Sequence, residues 1–129
     1  MPEATVLLRR ILASRPNKSV VFLQVGFSSN LARLLDSPPD AISPLSGRDL
    51  IAAKVSLLSV MADAFQPIKG NRHLGWNIIK DIPAAKRIAE ACPTPIIWSG
   101  FEIGIAIPYP AVSIERDYGY VPHHPLAEA

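Results

Sequence analysis

Over residues 5–14 the apolar side chains Val6, Leu7, Ile11 and Leu12 recur near helical spacing, with Arg9 and Arg10 on another face, which predicts an amphipathic helix. Arg15-Pro16-Asn17-Lys18 interrupts it. The run that follows, Ser19-Val20-Val21-Phe22-Leu23-Gln24-Val25, is continuously β-branched, aromatic or aliphatic and predicts a parallel-sheet strand buried on both faces. Gly26-Phe27-Ser28-Ser29 turns the chain, and either serine can cap a helix over residues 30–35. Prolines in 37–40 and 43–47 predict a loop, because proline cannot continue a helix and pushes the preceding residue toward extended geometry. A short helix over 48–54 and a second buried strand over 55–61 come next. Residues 66–75 are irregular and polar, the composition of a mobile rim around a site.

Asp81 is placed to cap a helix with Pro83 in its first turn, running to about Cys92 and stopped by Pro93. Residues 95–98 predict a third strand ending at Ser99-Gly100. From Ile105 onward the prolines leave room for one short helix near 111–116, in a tail that is extended or lies on a neighbour. Strands alternating with helices indicate an α/β fold, a mostly parallel open sheet with helices on its faces. Ligands in such folds sit at the carboxyl ends of the strands, which singles out Val25-Gly26, Met61-Ala62-Asp63 and Trp98-Ser99-Gly100 as the lining of one crevice.

Composition narrows this further. The 129 residues make a single unit, and 49% hydrophobic against 19% charged residues exclude a disordered chain. Lys plus Arg number 13 against 11 Asp plus Glu, a net +2 spread along the chain, which argues against nucleic acid as a partner. Mean hydropathy is high at +0.22, yet no run is long enough to span a membrane, and the first residues do not resemble a secretory signal. Cys92, alone, offers neither a disulfide nor a zinc framework, and the expected location is cytoplasmic. High hydropathy in so short a chain also suggests a surface covered by another copy or a partner chain at exposed sheet edges.

Few side chains suggest chemistry. The turn at 26–30 could present N–H groups to an anion or be an ordinary strand-to-helix turn, and it lacks spaced glycines. His123-His124 suggests metal, but adjacent residues in extended chain point apart. Asp63 is either a base or ligand at a strand end, or a loop cap. Glu102, between Gly100 and Gly104, is either a ligand contact or a turn-stabilising carboxylate. Trp76-Asn77 pairs an aromatic ring with an amide, as sugar sites do, or is a capping Asn beside a core Trp. No Ser-His-Asp order or His/Cys cluster is present, so no residue is assigned a catalytic role.

Taken in order, the segments carry a family likeness. Val20-Val21-Phe22-Leu23-Gln24-Val25-Gly26-Phe27-Ser28-Ser29-Asn30-Leu31-Ala32 resembles the strand, Gly, x, x, Thr/Ser-Asn-Leu-Ala segment of the inosine-uridine preferring nucleoside hydrolases. Leu57-Leu58-Ser59-Val60-Met61-Ala62-Asp63 is similar to that family's strand ending in Met-Gly-Gly, and Trp76-Asn77 through Asp81-Ile82-Pro83-Ala84-Ala85 to its Glu-Phe-Asn and Asp-Pro-Glu-Ala-Ala segments. Ser99-Gly100-Phe101-Glu102-Ile103-Gly104 with Pro108-Tyr109-Pro110 resembles a bacterial branch of the group. The resemblance implies an α/β enzyme that hydrolyses the N-glycosidic bond of ribonucleosides with a calcium ion and an aspartate base, through an oxocarbenium-like transition state. It further implies that the Val25 carbonyl corresponds to a backbone calcium ligand, and that Asn77 and Asn71 correspond to ribose contacts.

The departures shape the expectation. The Asp-Thr-Asp-x-Gly-x-Asp-Asp signature that provides the base and most calcium carboxylates is missing, as are the later His and Asp. Gly75 stands where the family has a ribose-binding Glu, and Ala62-Asp63 replaces its double glycine. The expectation is therefore a single incomplete nucleoside hydrolase-like domain over 1–129 with a proline-rich tail from about 105, a fragment without hydrolysis of its own and with no tightly bound calcium. The alternative is a catalytically dead ribose-binding or protein-interaction module.

Overall fold

Three runs of β-branched and aliphatic residues become strands because each is bounded by residues that cannot extend it: Pro16 and Gly26, the end of a helix and Pro67, Pro95 and Gly100. The structure, a computed structural model, describes residues 3–128. Its elements are α1 (Ala4–Ala13), β1 (Val20–Gln24), α2 (Ser29–Leu35), α3 (Gly47–Lys54), β2 (Val55–Met61), α4 (Trp76–Ile79), α5 (Ile82–Ala91), β3 (Ile96–Ser99), α6 (Phe101–Ala106), α7 (Ala111–Asp117) and α8 (Pro125–Glu128). The strands form one parallel sheet in the order β1-β2-β3, flanked by helices, the α/β architecture expected. Val21 is opposite Leu57, Gln24 opposite Val60, and Val60 opposite Trp98. Between Val20 and Val21 the register shifts by one residue, and the extra Ser56 donates its hydroxyl to the Val20 carbonyl at 3.1 Å.

One face of this sheet makes the core. Val55, Leu58 and Val60 pack with Leu12 of α1, Leu34 and Leu35 of α2, Leu50 and Ile51 of α3, and Ile88 of α5, while Val20, Phe22, Ile96 and Trp98 add partly buried surface. The other face is open: Val21 is 51% exposed, Leu23 74% and Ile97 53%. The expectation of strands covered on both faces is thus corrected. A continuous apolar run identifies a strand, but all four core-forming helices pack on one side, and alternate residues of β1 and β3 are left uncovered.

The faces of α1 are corrected too. Val6, Leu7 and Ile11 are exposed, whereas Arg9 is buried with Leu12. The guanidinium is compensated by five hydrogen bonds: Nε and Nη2 to the Asp40 carboxylate (2.8 and 2.9 Å), Nη1 to Ser37 Oγ (2.9 Å), and Nη2 to the carbonyls of Ser43 and Leu45 (3.2 and 3.0 Å). It pins the proline-rich loop against α1, and holds the Asp40 carboxyl below the usual carboxylate range.

Local capping sets the helix starts. Ser46 accepts from the Asp49 N–H at 3.1 Å and caps α3, which starts one residue before the expected 48–54. The next residue, Gly47, donates its N–H to the Ser37 carbonyl at 2.8 Å, and a Cβ there would overlap the Leu34 carbonyl oxygen, so only glycine lets α3 start against α2. Asp81 caps α5 as expected, accepting from Ala84 N at 3.2 Å, and its carboxylate also takes the Ser29 hydroxyl, which joins the N-termini of α2 and α5. That hydroxyl, and then the Ala84 N–H, hold the Asp81 carboxyl low.

The tail contains more helix than expected. Besides α7, where a helix was anticipated, the chain forms α6 and α8; Pro108, Pro110, Pro122 and Pro125 separate or start these pieces instead of leaving the tail extended. Tyr118, at the end of α7, packs its ring at a tilt against His124, just before α8, with centroids 4.7 Å apart. Among the described residues no helix is long and apolar enough to cross a membrane.

Candidate functional site

Because the sheet is parallel, β1, β2 and β3 all end at the same edge, and the residues after them, 25–26, 62–63 and 100, gather there. A groove of about 770 Å³ lies at this edge and runs onto the open face. Leu23, Val25, Ser59 and Met61 are its floor, the segment 73–77 is one wall, and Phe101, Ile103 and Ile105 of α6 are the other. Of the residues expected to line a crevice at the strand ends, Val25, Met61, Ala62, Ser99 and Gly100 do so, whereas Gly26 and Asp63 lie outside it and Trp98 packs against the helix-side core.

Asn77 enters the groove from the first turn of α4. Its Nδ2 donates to the Val25 carbonyl at 3.3 Å and lies 3.3 Å from Met61 Sδ. Two residues 52 positions apart, singled out separately on the sequence, thus meet at one point. Trp76 is 62% exposed at the rim with Lys80 Nζ 3.9 Å from its ring centroid, so it is a surface aromatic and not a core tryptophan. Asn71 lies elsewhere. It closes a tight turn in which Ile68 and Asn71 exchange backbone hydrogen bonds across Lys69 and Gly70, both with positive φ, and its side chain reaches the Lys69 carbonyl at 3.4 Å. The structure does not bring Asn71 to the groove.

Asp63 and Gly75 belong together. The Asp63 carboxylate accepts the N–H groups of Ala64 (2.8 Å) and Gly75 (2.5 Å), which makes it a loop staple and leaves it outside the groove lining. A Cβ at position 75 would come within 2.9 Å of Asp63 Cα and 3.3 Å of the Ala62 carbonyl oxygen. Asp63 and Gly75 thus form one packing arrangement: with Asp63 holding the loop, a Cβ at position 75 would force the backbone to shift. Glu102 likewise ties loops, accepting the Phe65 N–H at 3.3 Å on both oxygens.

The remaining candidates resolve structurally. Ser28 Oγ is buried and receives Gln24 Nε2 at 2.9 Å, and Ser29 Oγ is committed to Asp81, so both hydroxyls of the 26–30 turn serve packing. His123 Nδ1 is 2.6 Å from Glu128 Oε1, whereas His124 Nε2 is 3.2 Å from Tyr120 Oη; the neighbours have separate partners. Sequence reasoning passed over His73 and Phe101, whose rings stack at 3.9 Å and 17° and close the upper end of the groove. Their only sequence signal was position, one in the rim segment and the other just past a strand end.

The donor set does not suit calcium, which takes six to eight oxygen ligands with carboxylates prominent among them. The groove lining contains no Asp or Glu, the Val25 carbonyl already accepts from Asn77, and its near neighbour is a thioether. Among the described residues no group of three or more His, Cys, Asp or Glu side chains is arranged to hold a metal. In comparisons with known proteins, no family model, no curated protein and no solved structure matches this chain.

Proposed function

We propose that this chain is the central part of a nucleoside hydrolase-like α/β unit whose groove holds the ribosyl end of a nucleoside or related riboside without cleaving it. The observation that carries this reading is the meeting of Asn77 with the Val25 carbonyl at the strand ends. An amide held by one long hydrogen bond is free to exchange that bond for a sugar hydroxyl, accepting and donating at once. Trp76 at the rim and the apolar wall of Phe101 and Ile103 offer contact surface for the rest of such a ligand.

Hydrolysis needs a base for the attacking water and negative charge near the developing oxocarbenium ion. The groove lining holds no carboxylate, and the one imidazole, His73, is stacked on Phe101. The chain alone is accordingly a binder. Titration with inosine, uridine and free ribose, followed by NMR shifts of the Asn77 and Trp76 side-chain N–H groups, tests the reading. Asn77→Ala should weaken binding about fivefold to tenfold, the value of one neutral hydrogen bond. Wild-type shifts that are absent, or unchanged affinity in the variant, sink the proposal; turnover with or without calcium sinks its non-catalytic part.

A further inference from the structure

β2 and β3 read VSLLSVM and IIWS, aliphatic and aromatic apart from Ser56, Ser59 and Ser99. Ser56 belongs to the register shift, where its hydroxyl meets the Val20 carbonyl. Most other serine hydroxyls are likewise committed within the protein, as those of Ser14, Ser37 and Ser46 are to Ile11, Leu34 and Asp49. Among the described residues Ser59 and Ser99 have no such partner, and both line the groove; the other serine without one, Ser113, lies outside it on α7.

The register brings the two hydroxyls to one part of the floor. Ser59 lies between Leu23 and Ile97, and Ser99 lies beside Met61, the next residue of β2 on the same face. Asn77 approaches Met61 Sδ and the Val25 carbonyl from the β1 side. Val25 and Ser99 follow or end the two outer strands with β2 between them, two strand spacings or about 10 Å apart. Ser59 is two residues, about 7 Å, back along β2 from Met61. A planar aglycone joined to a ribose at Asn77 reaches over Met61 to both hydroxyls, with Phe101 and Ile103 as its wall.

Building on the riboside reading of the groove, we propose that Ser59 and Ser99 are its specificity-determining residues and read the polar edge of an uncharged heterocyclic aglycone. A hydroxyl both donates and accepts and turns freely, so either serine pairs with a ring carbonyl, a ring nitrogen or an exocyclic N–H. In an apolar floor such a hydroxyl discriminates. An aglycone without a polar edge displaces water from it and makes no bond in exchange, whereas a heterocycle replaces the bond that water gave. The groove lining contains no Asp, Glu, Lys or Arg side chain, which disfavours a charged aglycone, because a buried charge without a partner is costly.

The test compares inosine, ribose and ribosylbenzene, whose aglycone is planar but has no hydrogen-bonding edge, by NMR titration of the full chain. Wild type should bind inosine more tightly than ribosylbenzene. Ser59→Ala and Ser99→Ala should each weaken inosine about fivefold, the value of one neutral hydrogen bond, and leave ribose and ribosylbenzene as in wild type. Neither serine belongs to the helix-side core, so the circular dichroism spectrum should be kept. Should a variant fail to fold, wild type still decides: equal affinity for inosine and ribosylbenzene overturns the proposal. So does a loss in the serine variants that is equal for all three ligands. Inosine binding that depends on Asn77 and on neither serine overturns this inference alone and keeps the riboside reading; no binding of any of the three by wild type overturns both.

Discussion

Replacing Arg9 with Met separates the polar work of this side chain from its volume. The arginine is 1% exposed and gives up all five hydrogen bonds in the variant, while the methionine keeps the aliphatic stem among its neighbours. Breaking a fully buried pair from one side costs about 3–5 kcal/mol. That figure needs a discount here, because the Asp40 side chain is 36% exposed and recovers water when its partner is lost. The carbonyls of Ser43 and Leu45 also lose a charged donor. The net expectation is a loss of about 2–3 kcal/mol, which for a chain of this length lowers Tm by about 10 °C. Arg9→Lys should fall between the two, since an ammonium cannot reproduce the two-pronged contact with the carboxylate. Thermal and urea unfolding followed by circular dichroism measures both, and hydrogen exchange should show the loosening concentrated in residues 37–46. A Tm shift below about 3 °C for Arg9→Met would refute the claim that this cluster holds the loop to α1.

Gly47→Ala should cost more than about 3 kcal/mol in urea unfolding, because its Cβ overlaps the Leu34 backbone oxygen and either α2 or α3 has to move. The Asp40 and Asp81 carboxyls titrate lower in the folded chain than in the unfolded one, the first through Arg9 and the second through the Ser29 hydroxyl. The stability they provide is complete above the ordinary carboxylate range and is lost as pH falls below it through their lowered native values, so acid melts of Asp81→Asn should be flatter with pH than those of wild type. Gly75→Ala places a methyl 2.9 Å from Asp63 Cα and should displace the 73–77 wall, weakening riboside binding in the NMR titration while leaving the helical circular dichroism unchanged.

Much of the body could be read from local pattern because its punctuation is local. β2 is found at 55–61 as expected, β1 and β3 differ from expectation by a residue or so at their ends, and Asp81 with Pro83 marks the start of α5. What could not be read depends on partners far away in the chain. The burial of Arg9 is decided by Asp40, 31 residues on, and without that partner the amphipathic pattern of α1 points the other way. The open face of β1 and β3 is a matter of where helices pack, and an apolar run carries no information on that. Residues 101–106 alternate ambiguously and contain Gly104, so α6 lacks a clean helical period, yet it forms a wall of the groove. Val25 was placed at the strand ends by its position after an apolar run, and the structure brings Asn77 to it from the start of α4. The position of Asn71 was not legible, since its direction is set by Lys69 in a left-handed conformation that no lysine announces.

The charged contacts among the core elements of this fold are confined to one side of the sheet. The ion pairs and charge-bearing hydrogen bonds among core elements, Arg9 with Asp40, Arg87 with Asp36, and Asp81 with Ser29, all join helices and loops on the covered side. The side that carries the groove has two amides, the Val25 carbonyl, the His73 imidazole, two serines and apolar walls. The helix-side core and the groove therefore draw on separate residues: the core closes around Leu58, Val60 and Ile88, and neither Val25 nor Asn77 belongs to it. Floor residues Leu23, Val25 and Met61 are shared between the groove and the uncovered face. Whatever covers that face also sets one boundary of the groove, because these three side chains belong to both.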